Sequence, residues 1–140
     1  MNCKTTRRKT TLIILASLLL SLAAWGREDH LTNTGIAPGA EGTVTTDNDR
    51  NGNTNVEVKV KHMAGPQQLT PAMQTYIVWI QARGKEPEAI GVLRVNGDLE
   101  GALKGTTPYK DFDVLITAED NLKPDAPSSM VMLKGTVERH

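Results

Sequence analysis

The sequence is poor in residues that carry covalent and acid–base chemistry. Its 140 residues include one cysteine and three histidines. Cys3 precedes the one long apolar run, so it is not a lipoprotein attachment site, which would follow such a run. No disulfide and no thiolate metal site are therefore expected in the rest of the chain, and its stability must come from packing and sheet hydrogen bonds.

Serine is also scarce, and this weighs against an enzyme. After residue 26 the chain contains only Ser128 and Ser129, and neither stands in a Gly-x-Ser-x-Gly elbow. His30 falls in a segment without periodicity and His140 is the last residue, which leaves His62 as the candidate general base. We therefore predict a protein that is not an enzyme, with no catalytic residues and no cofactor.

The one long hydrophobic run lies near the N-terminus. Residues 12–25 follow four basic residues and no acidic one. Their 14 residues are fewer than the roughly 20 that a transmembrane helix needs. Ala24 and Gly26 place small residues where a signal peptidase that cuts before Arg27 requires them, and a cut before Ala24 is the alternative. The sequence therefore predicts a signal peptide over residues 1–26 and a periplasmic or secreted bacterial protein, tethered to the membrane only if that segment stays uncleaved.

Excess positive charge is lacking once this segment is set aside. Residues 27–140 contain 12 basic against 16 acidic residues, a formal net charge of −4. Nucleic-acid-binding domains usually carry an excess of Lys and Arg that neutralises phosphates. We expect no nucleic-acid partner, and the predicted location favours an envelope protein as the partner. Lysines on the predicted strands discourage edge-to-edge pairing and favour a monomer.

Alternation of apolar and polar residues is the main structural signal. Val56, Val58 and Val60 alternate with charged residues, as in a strand that buries one face. The candidate strands are residues 42–46, 56–61, 76–83, 88–95, 99–104, 112–119 and 131–138. Asn96-Gly97 predicts a type I′ hairpin turn between two of them. No segment has a helical stripe of three turns.

Together these segments predict one all-β domain over residues 41–140, an antiparallel immunoglobulin-like β-sandwich of about seven strands. Residues 27–40 lack periodicity and predict a short flexible spacer. Residues 76–80 are apolar at every position, which is typical of a strand buried on both faces. Because Tyr76 and Trp79 are three residues apart, we expect them to face opposite sides of this strand, with Trp79 buried.

Several of these segments occur in an order that resembles one known domain family. They are Leu69-Thr70-Pro71, Tyr76-x-x-Trp79, the x-Gly-x-Leu strand at residues 90–93, Asp111-Phe112-Asp113, Thr117-x-Glu119 and a Pro-rich loop before a last strand that reaches Gly135. Over residues 55–137 this order is similar to the C-terminal extracytoplasmic domain of anti-sigma-K factors. The resemblance implies a β-sandwich outside the cytoplasmic membrane that serves sensing or protein interaction. Only 11 residues precede the apolar run, so we do not expect the family's cytoplasmic sigma-binding domain in this chain.

Residues 47–53 contain the sharpest local motif, because they match the D-x-D-x-N-G start of a calcium-binding loop. Position twelve of such a loop is a bidentate Glu, whereas this chain has Val58 there. Predicted strands also flank the loop where helices would be required. A polar hairpin turn through Asn51-Gly52 is therefore the simpler interpretation. The candidate calcium ligands are Asp47, Asp49, Asn51 and Asn53.

A second metal hypothesis combines an imidazole with thioethers, which suit copper(I) in an oxidising compartment. The residues are His62, Met63, Met73, Met130 and Met132. Their spacing is irregular, and methionine commonly fills gaps in a core. The leading hypothesis is therefore a non-catalytic exported domain for protein interaction or envelope sensing. A periplasmic metal-binding β-sandwich is the alternative.

Overall fold

Antiparallel β-strands form nearly all the regular structure of residues 26–139, which are the residues that the computed structural model describes. The predicted signal peptide, residues 1–26, lies outside the described residues except for Gly26. The strands are β1 (Arg27–Asn33), β2 (Glu41–Asn48), β3 (Thr54–Lys61), β4 (Thr75–Ala82), β5 (Glu88–Leu93), β6 (Gly101–Thr107), β7 (Phe112–Glu119) and β8 (Val131–Val137). One 3₁₀ turn, Pro66–Gln68, lies between β3 and β4. The prediction of an all-β fold is confirmed.

All eight strands belong to one sheet, in the order β5-β4-β7-β8-β1-β2-β3-β6. Every neighbouring pair in this order is antiparallel. The outermost strands, β5 and β6, are consecutive in the chain and meet at a bridge between Val95 and Gly101. Beyond this bridge, the side chain of Leu103 in β6 packs against Gly91 in β5. A Cβ atom added to Gly91 would lie 3.1 Å from Leu103 Cδ1. The sheet is therefore nearly barrel-shaped.

The prediction of seven strands in a two-sheet sandwich differs from this architecture because it omits β1. This strand pairs with β2 through residues 27–31 and with β8 through residues 32–33. Without it, the remaining strands would form two sheets, β5-β4-β7-β8 and β2-β3-β6. Leu31 is the only apolar residue of β1. The strand therefore has no alternation, and pairing with distant strands determines its conformation.

The segment predicted as a flexible spacer, residues 27–40, is held by pairing in its first half and by side-chain hydrogen bonds in its second. Asn33 Nδ2 donates to the carbonyl oxygens of Ala37 at 2.6 Å and Ala40 at 3.0 Å. Asn33 Oδ1 accepts the backbone N–H of Gly35 at 2.7 Å. The domain thus begins near residue 27 rather than residue 41, because one side chain can fix a short loop without leaving a periodic signal.

The inward face of the curled sheet holds the apolar core, which includes Val44, Val58, Val114, Ile116 and Leu133. Strand β4 is buried on both faces, as predicted. Tyr76 belongs to the core, whereas Trp79 lies outside the core cluster and is only 1% exposed. The prediction that Trp79 is buried is confirmed.

A hydrogen-bond network holds Trp79 on the outer face of the sheet. Trp79 Nε1 donates to Thr117 Oγ1 at 2.8 Å, and this hydroxyl donates to Glu119 Oε1 at 2.6 Å. The same Glu119 oxygen accepts the backbone N–H of Ser128 at 2.8 Å. Glu119 is only 5% exposed. The network therefore satisfies a buried carboxylate and fastens the β7–β8 connection to the sheet.

The strand registers gather the connections at two opposite ends of the sheet. Thr54 pairs with Thr107, while Phe112 pairs with both Ala82 and Val137. The terminal end therefore consists of residues 49–53, 83–87 and 108–111 together with residues 26 and 138–139. The opposite end, the loop end, carries residues 34–40, 62–74, 94–100 and 120–130.

Replacing the buried Thr117 by valine tests the network around Trp79. Thr117→Val removes the acceptor of the indole N–H and a donor to Glu119, so we expect unfolding to become easier by about 1–3 kcal/mol. Thr43→Val on β2 is the control, because Thr43 is only half-buried and has no side-chain hydrogen bond in the described structure. Urea denaturation followed by circular dichroism measures both variants, and equal effects would contradict the network's role.

Candidate functional site

The loop end carries the exposed large apolar side chains of the described chain. Within residues 26–139 these are Ile36, Leu99 and Leu122, exposed by 42%, 40% and 61%. They come from three different connections, β1–β2, β5–β6 and β7–β8. Apolar side chains gathered on one part of a surface often mark an interaction site, and loops held by a scaffold commonly carry function. The loop end is therefore the candidate functional site.

Sequence reasoning missed all three residues as site candidates. It placed Ile36 in a spacer and Leu99 at the start of a strand, and it assigned Leu122 to no element. Their sequence positions, far apart and each in a different context, give no common signal. Only the strand registers bring the three connections to one end.

The β5–β6 connection holds Leu99 in an uncommon backbone conformation. Leu99 has a φ of 62° and His62 a φ of 55°, and no other non-glycine residue in the described part of the chain has a positive φ. The backbone N–H of Met63 donates to the Leu99 carbonyl at 3.0 Å, which joins the two connections. A left-handed conformation costs roughly 1–2 kcal/mol for a non-glycine residue. Such strain is concentrated at binding sites and switch regions.

The side chain of Asn96 shapes this turn. Asn96 Oδ1 accepts the backbone N–H groups of Asp98 at 2.9 Å and Glu100 at 3.1 Å. The type I′ hairpin predicted here is wrong: the chain turns at this point, but β5 and β6 meet only at the Val95–Gly101 bridge, and Gly97 does not have the positive φ that a type I′ turn requires. The side chain of an Asn favours a different turn by bonding the backbone two residues ahead. The positive φ falls on Leu99 instead, which leaves its side chain exposed.

The β3–β4 connection, residues 62–74, is fastened to the core by Tyr76. The Tyr76 hydroxyl donates to the Ala64 carbonyl at 2.6 Å. Burial raises the pKa of Tyr76 to about 12, so the phenol remains a proton donor across the physiological range. Further along, the backbone N–H of Met73 donates to the Pro66 carbonyl at 2.9 Å. These bonds fix the connection at both its beginning and its end.

The predicted calcium loop forms the β2–β3 hairpin at the terminal end. Asp49 Oδ1 accepts the backbone N–H groups of Asn51 and Asn53, both at 2.8 Å, and Asp49 Oδ2 accepts Asn53 Nδ2 at 3.0 Å. Asp47 instead accepts Asn55 Nδ2 at 2.8 Å. The structure thus brings three of the four candidate ligands together as a hydrogen-bonded turn. Among residues 26–139, no three His, Cys, Asp or Glu side chains are grouped so that they could hold a metal ion.

The candidate copper ligands are divided between the surface and the core. Met63 and Met132 are fully buried and Met73 is nearly so, and all three belong to the core cluster. Met130 packs against the same cluster. His62 is exposed. The described structure therefore uses these methionines as apolar packing residues.

Hydrogen bonds to Asp49 predict a pH dependence for the hairpin. They lower its pKa below the ordinary value of 3.8, with the Asn53 side chain as the largest cause. A depressed native pKa means that this stabilisation is present above the ordinary value and is lost as the pH falls through the native one. Titration of the Asp49 carboxyl by NMR should give a midpoint below 3.8.

Two asparagine variants make this titration specific. Asn53→Ala should move the midpoint of Asp49 towards its ordinary value, because it removes the side-chain donor. Asn55→Ala should leave that midpoint unchanged, since the Asn55 side chain donates its hydrogen bond to Asp47 and not to Asp49. A midpoint at or above 3.8 in the unmodified chain would contradict the hairpin geometry.

Within the described range, no helix has both the length and the apolar character needed to span a bilayer. Comparison of the chain with protein-family models, with curated proteins and with solved structures finds no match. The resemblance to the outer domain of anti-sigma-K factors therefore stays a prediction.

Proposed function

We propose that this chain is an exported, non-catalytic domain of the bacterial envelope that binds a protein partner through its loop end. The observation that carries the proposal is the position of Ile36, Leu99 and Leu122, which are exposed at the end opposite residue 26. Apolar side chains that share one part of a surface commonly mark a site of protein interaction.

Charge at the loop end favours a protein over an anionic lipid surface. The exposed acidic residues of the β5–β6 and β7–β8 connections are Asp98, Glu100, Asp120 and Asp125, against the exposed cations Arg94 and Lys123. Anionic membranes attract clusters of Lys and Arg and repel an acidic surface. Interfaces between proteins combine apolar and mixed polar residues, and this end exposes both kinds.

The position of the chain ends supports the same arrangement. Residues 26 and 139 both lie at the terminal end, where Arg27 Nη1 donates to the carbonyl oxygen of Glu138. If the predicted signal segment stayed uncleaved, it would tether this end and leave the loop end directed away from the membrane. The anti-sigma-K resemblance supports the proposal further, because it implies an extracytoplasmic domain that serves sensing or interaction.

Export is tested by expressing the full chain in a bacterial host and determining its N-terminus by mass spectrometry. We expect a processed form that begins at Arg27 or Ala24, or an intact form in the membrane fraction. Leu18→Arg, which places a charge inside the apolar run, should prevent export. An intact chain confined to the cytoplasm would contradict the proposal.

Partner binding is tested by photo-crosslinking residues placed at the two ends. We expect one and the same protein to be captured from Ile36 and from Leu122, and not from Arg50 or Glu86, which are exposed at the terminal end. The paired change Ile36→Glu and Leu122→Glu should lower capture from a third position, Leu99, by about tenfold or more if these side chains lie in the interface. Circular dichroism shows whether that variant is folded. Equal capture from both ends would contradict a specific loop-end interface.

A further inference from the structure

A groove of about 470 Å³ lies at the loop end beside Leu122. Its apolar lining comes from three parts of the chain: Pro66 of the β3–β4 connection, Val92 and Val95 in and after β5, and Leu122. We propose that this groove binds an extended peptide segment of a partner protein in which an acidic side chain stands next to an apolar one. This inference rests on the proposed function and specifies the chemistry of its partner.

The apolar lining offers an anchor site for one or two side chains. Leu122 is 61% exposed, and Val92 and Val95 are half-buried. An aliphatic side chain of a partner placed in the groove would therefore find apolar surface to contact. At about 470 Å³ the groove has room for one or two side chains rather than for a folded domain.

Arg94 gives the groove its charge preference. It is the one charged residue that lines the groove, and it is exposed. Within the described residues its guanidinium takes part in no ion pair and no hydrogen bond. A guanidinium recognises a carboxylate through two parallel hydrogen bonds and holds its charge at any physiological pH. A single carboxylate placed against Arg94 is therefore the complementary group, whereas Asp98 and Glu100 in the same connection disfavour a segment with several acidic residues.

Two carboxamides supply hydrogen bonds for a peptide backbone. Gln67 and Gln74 both line the groove, and Gln67 Nε2 donates to the Gln74 carbonyl at 3.1 Å. This bond leaves the Gln67 oxygen and the whole Gln74 side-chain amide for a ligand. An extended peptide presents N–H and C=O groups at regular spacing, and such groups commonly provide affinity while pockets provide specificity.

The two sides of the groove are fastened before any ligand binds. Pro66 accepts the backbone N–H of Met73 at 2.9 Å. The connection that carries Leu122 is held by the bond from Ser128 to the buried Glu119. A site whose walls are fixed loses less conformational entropy on binding than one whose walls must order.

The proposal is tested by fluorescence anisotropy, using the form of the protein that is obtained when the full chain is expressed. The probes are dye-labelled peptides of sequence Gly-Leu-Glu-Leu-Gly, amidated at the C-terminus, and the same peptide with Gln in place of Glu. We expect the Glu peptide to bind about tenfold more tightly than the Gln peptide, the difference made by one charge-assisted pair.

Matched variants assign any binding to the groove. Arg94→Gln should remove the preference for Glu over Gln, whereas Arg83→Gln, which changes an exposed arginine at the terminal end, should leave it intact. Leu122→Ala should weaken both peptides. Equal affinities for the two peptides, a preference that survives Arg94→Gln, or binding of phosphatidylglycerol vesicles in place of the peptides would overturn the inference.

These outcomes are separable from failure of the proposed function. Crosslinking from Ile36 and Leu99 with no peptide binding in the groove would overturn the groove inference and leave a loop-end partner in place. Specific peptide binding in the groove of a chain that stays in the cytoplasm would support the groove and contradict export.

Discussion

Strand β1 is the element on which the architecture depends, because it supplies the strand ladders between two half-sheets that otherwise meet at the Val95–Gly101 bridge. Its single apolar residue, Leu31, packs where both neighbouring strands have a glycine. A Cβ atom added to Gly42 would lie 2.9 Å from Leu31 Cδ1, and one added to Gly135 would lie 2.7 Å from Leu31 Cδ2. A larger residue at either position would require the Leu31 side chain to move. The two glycines therefore give Leu31 its place at the join between the half-sheets.

The join made by β1 also sets the shape of the far side of the sheet. Once the halves are continuous, the curl brings β5 and β6 together, where Leu103 packs at Gly91 and Ile90 packs at Gly105. Side-chain packing thus completes the enclosure of the core at a seam that has little ladder hydrogen bonding. The same strand order places the four longer connections at one end. The candidate site is in this sense a product of topology rather than of any one segment.

Much of the strand content could be predicted because its signal is local. The alternation of Val56, Val58 and Val60 indicates a strand with one buried face, and the apolar run that contains Trp79 indicates a strand buried on both faces. The outcome for β1 is different because Leu31 alone gives no period, and its pairing partners are distant in sequence. A two-sheet sandwich follows naturally when the joining strand is not recognised.

The candidate site was harder to predict than the strands, for a related reason. Exposure is a property of how a connection is held, and Leu99 illustrates this. The Asn-Gly pair that precedes Leu99 indicates a common hairpin turn. In the structure the Asn96 side chain instead accepts two backbone N–H groups, and Leu99 has the positive φ. Residues 47–53 show the opposite case, because a motif that matches a calcium loop in sequence forms a turn around Asp49.

Hydrogen bonds hold all four loop-end connections, three of which carry the exposed apolar side chains Ile36, Leu99 and Leu122. Asn33 holds the first, Tyr76 the second, Asn96 the third, and Glu119 the fourth through Ser128. A loosely held loop can turn an apolar side chain inward and so relieve the cost of exposing it to water. Loops whose backbones are hydrogen-bonded in place do not have that freedom. The exposed apolar side chains therefore stay in contact with water in the free protein. Under the proposed function, a bound partner would cover them.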